Sequence, residues 1–279
     1  MKVAAPAKLN LCLYLGRRRA DGLHELCSLF SPLALADELE VSEVERDEVS
    51  CTDVPAPDLA ARALEALRAR GWNGPPLRIE VRKRIPLAAG LGGASADAAA
   101  VLRLGRGEVE GLDELAAELG ADVPSQLQPS FALVRGAGER IERLPAPEPL
   151  GVLLLPAEGG LSTADVYAEA DRLGLGRDAD ELDAIAGRVR EAADAGRSPL
   201  DYSDLLVNDL EPAARSLRPD ASSALAALSK AGAAVALITG SGPTAFGLFE
   251  HPGAASAAAD SLRPRFPGVI ATTTSGMAT

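Results

Sequence analysis

The run Pro86 to Ala100, PLAAGLGGASADAAA, constrains this chain more than any other. Gly92, Gly93, Ala94 and Ser95 follow Gly90-Leu91 and run straight into an alanine-rich segment that reads as a helix, so the backbone at the turn has almost no side-chain cover. The first amides of a helix have no intrahelical acceptor, and the macrodipole places about +0.5 charge there, so a bare turn at that point is a cradle for an anion, phosphate above all. A turn that only lets a helix pack against a strand is the plainer alternative, but close packing rarely needs so long a run without bulk.

Composition limits what such a cradle can serve. With 279 residues, 47% of them hydrophobic and 24% charged, the chain can bury a full core in one large or two medium domains. A net charge of −12 argues against a general nucleic-acid or anionic-membrane surface and leaves room for a local basic pocket that takes a charged small molecule. Cys12, Cys27 and Cys51 form no paired motif and the only histidines are His24 and His251, so neither a disulfide framework nor a zinc site is expected, and no metal-ligating residue is singled out. A reducing, cytoplasmic setting fits. No apolar run approaches the roughly 20 residues that span a bilayer, and no signal peptide is read.

Along the chain, Ala7, Leu9, Leu11, Leu13 and Leu15 alternate with Lys8, Asn10, Cys12 and Tyr14, which predicts a half-buried strand with Lys8 and Asn10 on one face. Asp21-Gly22 marks a turn, His24 to Phe30 reads as a short helix, and Glu38 to Val44 as a strand. Asp47 to Pro57 reads as a loop, followed by a helix from Asp58 that stops at Gly71. A strand over Leu77 to Pro86 leads into the bare turn. A further helix stops near Gly120, leaving Asp122 just beyond it, where it could simply cap the next helical turn. Phe131 to Glu142 predicts a hairpin through Gly136 and Gly138, and the proline-rich stretch after it marks a domain boundary, giving domains 1–146 and 147–279. Gly151 to Pro156 reads as a buried strand, Thr163 to Leu173 as a helix capped by Ser162 or Thr163, Gly174 to Pro199 as a poorly packed helical excursion, and Ala221 to Gly232 as a helix. Two strands around Gly240-Ser241-Gly242-Pro243-Thr244 and a last helix and strand complete an α+β second half.

Gly240-x-Gly242-x-x-Ala245 satisfies the letters of a dinucleotide-binding fingerprint, yet Phe246 to Phe249 alternates as a strand where that motif needs a helix. The bare turn at Gly90 has no Gly-Lys-Ser/Thr after it, so it is not a Walker loop either.

Pro86-x-x-x-Gly90-Leu91-Gly92-Gly93 resembles the phosphate motif of the galactokinase, homoserine kinase, mevalonate kinase and phosphomevalonate kinase superfamily. Pro6-Ala7-Lys8-Leu9-Asn10-Leu11 and Gly240-Ser241-Gly242-Pro243-Thr244 agree with it in the right order. Asp21 to Leu26, Gly120 to Pro124, Leu161 to Tyr167 and Asn208 to Glu211 place the chain nearest the branch that phosphorylates a cytidine diphosphate derivative of methylerythritol in the non-mevalonate isoprenoid route. The resemblance implies an α+β, two-lobed fold with a ribosomal-protein-S5-domain-2-like N-terminal lobe and a ferredoxin-like C-terminal lobe. It implies ATP and Mg²⁺ as cofactors and a monomer or weak homodimer. Asp122 would be the catalytic base and Lys8 the cation that polarises the acceptor hydroxyl. Pro86 and the residues from Ala89 to Ala96 would hold ATP. Asn10, Gly240, Ser241 and Gly242 would line the acceptor, and His24 and Tyr167 would take the cytosine. Asp58-Leu59 falls near the family's adenine-side segment. Leu23 stands where many relatives carry an aromatic, and Ala94 and Ala96 replace the usual Gly and Ser. Another acceptor of the superfamily, homoserine or mevalonate, and an inactive nucleotide-binding regulator are the competing expectations.

Overall fold

A computed structural model of the chain describes residues 1–51, 54, 58–157 and 159–276. They form two compact units that interleave along the sequence. Unit one comprises Met1–Ala7, Leu35–Pro86 and Gly92–Pro129, and unit two Lys8–Ala34, Leu87–Leu91 and Ser130–Thr279.

Two long strands, β1 (Lys2–Arg18) and β2 (His24–Glu43), contribute to both. In unit one the second half of β2 pairs antiparallel with β4 (Leu77–Arg82), from Glu38 opposite Arg82 to Glu43 opposite Leu77. β3 (Glu48–Cys51) lies parallel to β4. Leu77, Ile79 and Val81 alternate inward along β4. They meet Ala63, Leu64 and Leu67 of α1 (Leu59–Ala69) and Ala96, Ala98, Ala99 and Ala100 of α2 (Gly93–Leu102) in one apolar core. Asp58 caps α1 by accepting from Ala61 N at 2.8 Å, worth about 1 kcal/mol, and Gly71 at φ +86° turns the chain away. α3 (Leu112–Leu119) ends at Gly120, and the short α4 (Val123–Gln126) follows at once.

In unit two the first half of β2 pairs antiparallel with β5 (Ala132–Gly136), which forms the expected hairpin with β6 (Arg140–Arg143). A second sheet places β7 (Gly151–Leu155) between β10 (Ile270–Thr273) and β9 (Ala245–Phe249), with β8 (Val235–Ile238) beyond β9, all antiparallel. Leu153, Leu155 and Phe249 pack on α8 (Ala221–Lys230) and α9 (Pro252–Leu262). α5 (Thr163–Leu173) and α7 (Glu211–Leu217) pack together, with Val166, Ala170, Ala213 and Ala214 in one cluster with Leu13 and Leu15 of β1.

Four local expectations are corrected. His24 to Phe30 is strand, not helix: Leu23, Leu26, Cys27 and Phe30 have helical spacing, but Cys27 to Phe30 are buried on both faces, and a strand covered on both sides loses its alternation. β1 is likewise buried on both faces rather than half-buried. Within the loop expected from Asp47 to Pro57, Glu48–Cys51 is a strand, because β4 offers it a free edge; residues 52, 53 and 55–57 lie outside the described residues. The excursion after Gly174 is a well-anchored helix, α6 (Ala179–Asp194). Its cap Asp178 accepts from Glu181 N at 2.9 Å, and it buries Leu182, Ile185, Ala186, Val189 and Ala193 along one stripe. No helix of the described residues is long and apolar enough to cross a membrane.

Candidate active site

Unit two carries a buried polar pair within the apolar stretch of β1 that runs from Lys8 to Leu15. Alternation along β1 sends Lys8 and Asn10 to one face, and Lys8 Nζ donates to Asn10 Oδ1 at 2.6 Å. Asn10 Nδ2 donates to Ser28 Oγ on β2 at 2.8 Å, and that hydroxyl donates to Cys12 O at 2.5 Å. The amide of Asn10 is thus oriented from both ends, oxygen to ammonium and nitrogen to hydroxyl. Lys8 Nζ also stands 4.7 Å from the centre of the Phe30 ring, a cation–π distance. Both side chains are buried, 6% and 3% exposed.

The turn between β8 and β9 lies against this pair. Gly240 has φ +57°, and a Cβ there would sit 3.2 Å from Asn10 Oδ1 and 3.7 Å from Lys8 Nζ, so glycine leaves that side of the pair open. Asn208 braces the turn from behind, its Nδ2 donating to Ile238 O at 2.7 Å and Gly240 O at 2.8 Å. Ser241 Oγ shares a hydrogen bond of 3.0 Å with Thr163 Oγ1. Gly90, at φ +74°, packs so closely on the turn that a Cβ would fall 2.6 Å from Thr239 O and 2.9 Å from Gly242 O. Leu91 O accepts from Lys8 N at 2.9 Å, and Ala89 and Leu91 are buried.

A second group in unit two gathers around His24. Its Nε2 lies 2.7 Å from Asp171 Oδ1, and its ring centre 5.1 Å from that of Tyr167 at a tilt of 43°. Tyr167 and Asp171 are one turn apart on α5 and so share a face. With Nε2–H donated to the carboxylate, Nδ1 of a neutral ring is left as an acceptor. Leu23, where an aromatic was absent from the sequence, is exposed.

Unit one supplies the helix-opening half of the bare loop. The N-cap of α2 is Gly92, which has φ +69° and offers no side-chain cap, and the first intrahelical bond runs from Ala96 N to Gly92 O at 2.9 Å. Among the described residues nothing accepts from the amides of Gly93, Ala94 and Ser95, and Ser95 Oγ makes no hydrogen bond. Ala96 packs in the apolar core, so a hydroxyl at that position would have faced inward. Pro86 is half-buried where the chain leaves the strand side.

Asp122 sits half-buried at the N-cap of α4, yet its carboxylate makes no cap hydrogen bond, so the plain capping role open from sequence is not the one it takes. Ser125 Oγ instead donates to Asp122 O at 2.7 Å and holds the turn. Arg103 Nη1 and Arg106 Nη2 each donate at 2.8 Å to the carbonyls of Gln126 and Leu127 that end α4.

Residues 58–127, which contain the bare turn and Asp122, match the family described as GHMP kinases N terminal domain, and residues 183–268 match GHMP kinases C terminal. The chain is similar to 4-diphosphocytidyl-2-C-methyl-D-erythritol kinase of Mesorhizobium japonicum, 35% identical over 98% of this chain and 95% of that one. It is 38% identical to the same kinase of Kineococcus radiotolerans, over 94% and 85%. A crystal structure of 4-(cytidine 5'-diphospho)-2C-methyl-D-erythritol kinase superposes with a TM-score of 0.81 at 37% identity, covering 99% of this chain and all of the other. The chain belongs to the GHMP kinase family, in the 4-diphosphocytidyl-2-C-methyl-D-erythritol kinase branch. A homoserine kinase from Cytophaga hutchinsonii, 21% identical with a TM-score of 0.74 over the full chain, shares the fold.

Several residues of this GHMP kinase that shape the site were missed from its sequence. Asn208 lies in a stretch that carries the family resemblance, and only the fold shows both its donors spent on one turn. Ser28 was hidden by reading its strand as a helix. Asp171 had a usable signal, four positions after Tyr167 on a helix. Asp37, Lys83 and Asp97, which meet behind the start of α2, had none.

Proposed function

We propose that this member of the GHMP kinase family transfers the γ-phosphoryl group of ATP to the 2-hydroxyl of 4-diphosphocytidyl-2-C-methyl-D-erythritol, giving the 2-phosphate and ADP. The observation that carries the ATP side is the uncapped start of α2, where three successive amides meet no acceptor among the described residues. An anionic phosphate satisfies them and gains from the helix dipole.

In this reading the 2-hydroxyl oxygen bonds to the γ-phosphorus while the bond from phosphorus to the β–γ bridging oxygen breaks, and ADP departs. The hydroxyl proton passes to the Asp122 carboxylate. Lys8, aligned by Asn10, draws the hydroxyl's electron density and offsets charge that grows in the transition state. Asn10 and the turn Gly240-Ser241-Gly242, whose two glycines present bare backbone, take the methylerythritol end. His24, with Nε2 engaged by Asp171, accepts from the exocyclic amino group of cytosine through Nδ1, and Tyr167 stacks on the base, a contact worth about 1–3 kcal/mol. Mg²⁺ bound to the polyphosphate neutralises its charge. Ser95, whose hydroxyl makes no hydrogen bond among the described residues, stands at the loop tip where it would help to hold that ion.

The test is an ADP-release assay with a panel of acceptors, the cytidylated methylerythritol, homoserine and mevalonate among them. Asp122→Asn is expected to lower kcat by about 100-fold or more while ADP binding, followed calorimetrically, is retained. Full turnover in that variant would remove Asp122 from the base role, and a preference for homoserine or mevalonate would overturn the acceptor.

A further inference from the structure

Behind the first turn of α2 lies a buried ionic cluster for which the phosphate chemistry has no use. Lys83 follows the end of β4, and its side chain is only 9% exposed. Its Nζ donates to Asp37 Oδ2 and, at 2.6 Å, to Asp97 Oδ2. Asp37 is fixed in turn by the amides of Arg84 at 2.5 Å and Ile85 at 2.8 Å, whereas Asp97 belongs to α2. One ammonium therefore ties the strand end to the helix that opens at the bare loop. It also touches that opening directly: a Cβ on Gly93, the first residue of α2, would stand 3.2 Å from Lys83 Nζ and 3.1 Å from Ile85 Cγ2.

As a device for stability this cluster is poorly chosen. Two carboxylates share one cation out of water, and Asp97 Oδ1 is buried with no hydrogen-bond partner among the described residues. Burial pushes Asp97 up to about 7 even though Lys83 pulls it down. For Lys83, burial acts downward, but the two carboxylates outweigh it and hold the ammonium above its ordinary range. Apolar residues of the same volume would stabilise a core as well or better, so what an ionic bridge adds is a defined position.

We propose that Lys83, held between Asp37 and Asp97, is a positioning residue for the ATP-phosphate loop, fixing the first turn of α2 so that the amides of Gly93, Ala94 and Ser95 are set for the phosphates before ATP arrives. This rests on reading that turn as the phosphate site. The bridge to α2 is the part that matters, so Asp97 is the place to cut it. Asp97→Ala frees α2 while leaving Lys83 paired with Asp37, and no charge is stranded. Asp97→Asn keeps an oxygen for Lys83 to donate to.

Steady-state kinetics with ATP varied at saturating acceptor, and then the reverse, separate the outcomes. Asp97→Ala is expected to raise the KM for ATP about 10-fold, with kcat and the acceptor KM within about 2-fold of the parent, and Asp97→Asn to restore the ATP KM to within about 3-fold. An unchanged ATP KM in Asp97→Ala, a parallel rise in both KM values, or an Asp97→Asn enzyme as damaged as Asp97→Ala would each overturn the bridge. Gly92→Ala, which strains the loop itself through its positive φ, is run alongside. If it raises the ATP KM and Asp97→Ala does not, the loop stands and the bridge falls. If neither does, the phosphate reading fails and takes the bridge with it.

Discussion

The turn into α2 and the turn between β8 and β9 have nearly the same composition, glycines with small hydroxyl and methyl side chains, but they dispose of their backbone groups in opposite ways. At α2 the amides of Gly93 to Ser95 find no acceptor among the described residues. At the hairpin, Thr239 N donates to Thr244 O at 3.0 Å, Gly242 N donates to Thr239 O at 2.9 Å, and Gly240 O accepts from Asn208. The first turn offers donors; the second offers the absence of a Cβ beside Lys8 and Asn10. Glycine content alone therefore says little about phosphate binding. The destination of each amide decides it, because a buried or ligand-facing N–H must find an acceptor somewhere.

If the hairpin's glycines are there for room, filling that room is the most damaging single change outside the chemistry. Gly90→Ala adds a Cβ 2.6 Å from Thr239 O at a φ of +74°, and the combination of left-handed backbone and backbone clash is expected to cost about 3 kcal/mol, read as a fall in Tm. Gly232→Ala has a similar φ of +90° but nothing within 4 Å, so it isolates the conformational part, about 1 kcal/mol. Equal losses in the two variants would show that close approach at Gly90 is unimportant. Next in size is Asn208→Ala, which leaves the carbonyls of Ile238 and Gly240 without their donor and is expected to cost about 2 kcal/mol. Ser241→Ala, on the same turn but bonded only to the exposed Thr163 hydroxyl, should be close to neutral in Tm.

The contrast between the turns was half legible from the letters. Lack of a helix after Gly242 separated the hairpin from a dinucleotide motif, and the structure keeps that separation, with β8 and β9 pairing from Ile238 opposite Ala245. The period of β1 placed Lys8 and Asn10 together. Burial on both faces defeated the same argument one strand later, at Cys27 to Phe30. In α6 the apolar stripe alternates Leu, Ile and Val with alanines in a chain rich in alanine everywhere, so the stripe did not stand out from its background. Asp37 and Asp97 lie 46 and 14 positions from Lys83, and no local pattern connects them. Long-range ionic clusters are set by topology, and a sequence shows them only as ordinary surface charges.

A small gain in place of a loss sharpens the comparison at the entry to the bare loop, where one residue is out of place. Ala88 is the only non-glycine among the described residues with positive φ, at +51°. An L-residue in that region loses about 1 kcal/mol that glycine does not, against which glycine gives back part through the freedom of the unfolded chain, so Ala88→Gly should gain about 0.5 kcal/mol. Its Cβ also occupies the space in which a Cβ on Gly160 would lie, at a separation of 2.9 Å. Gly160→Ala alone should therefore lose stability, and the loss should shrink in the double variant Ala88→Gly, Gly160→Ala. Such non-additivity is the mark of two groups sharing one volume. Strictly additive changes in Tm would mean that the entry to the loop is set by its own backbone and not by Gly160, which would make the whole run from Leu87 to Ser95 a turn shaped for its amides rather than for its neighbours.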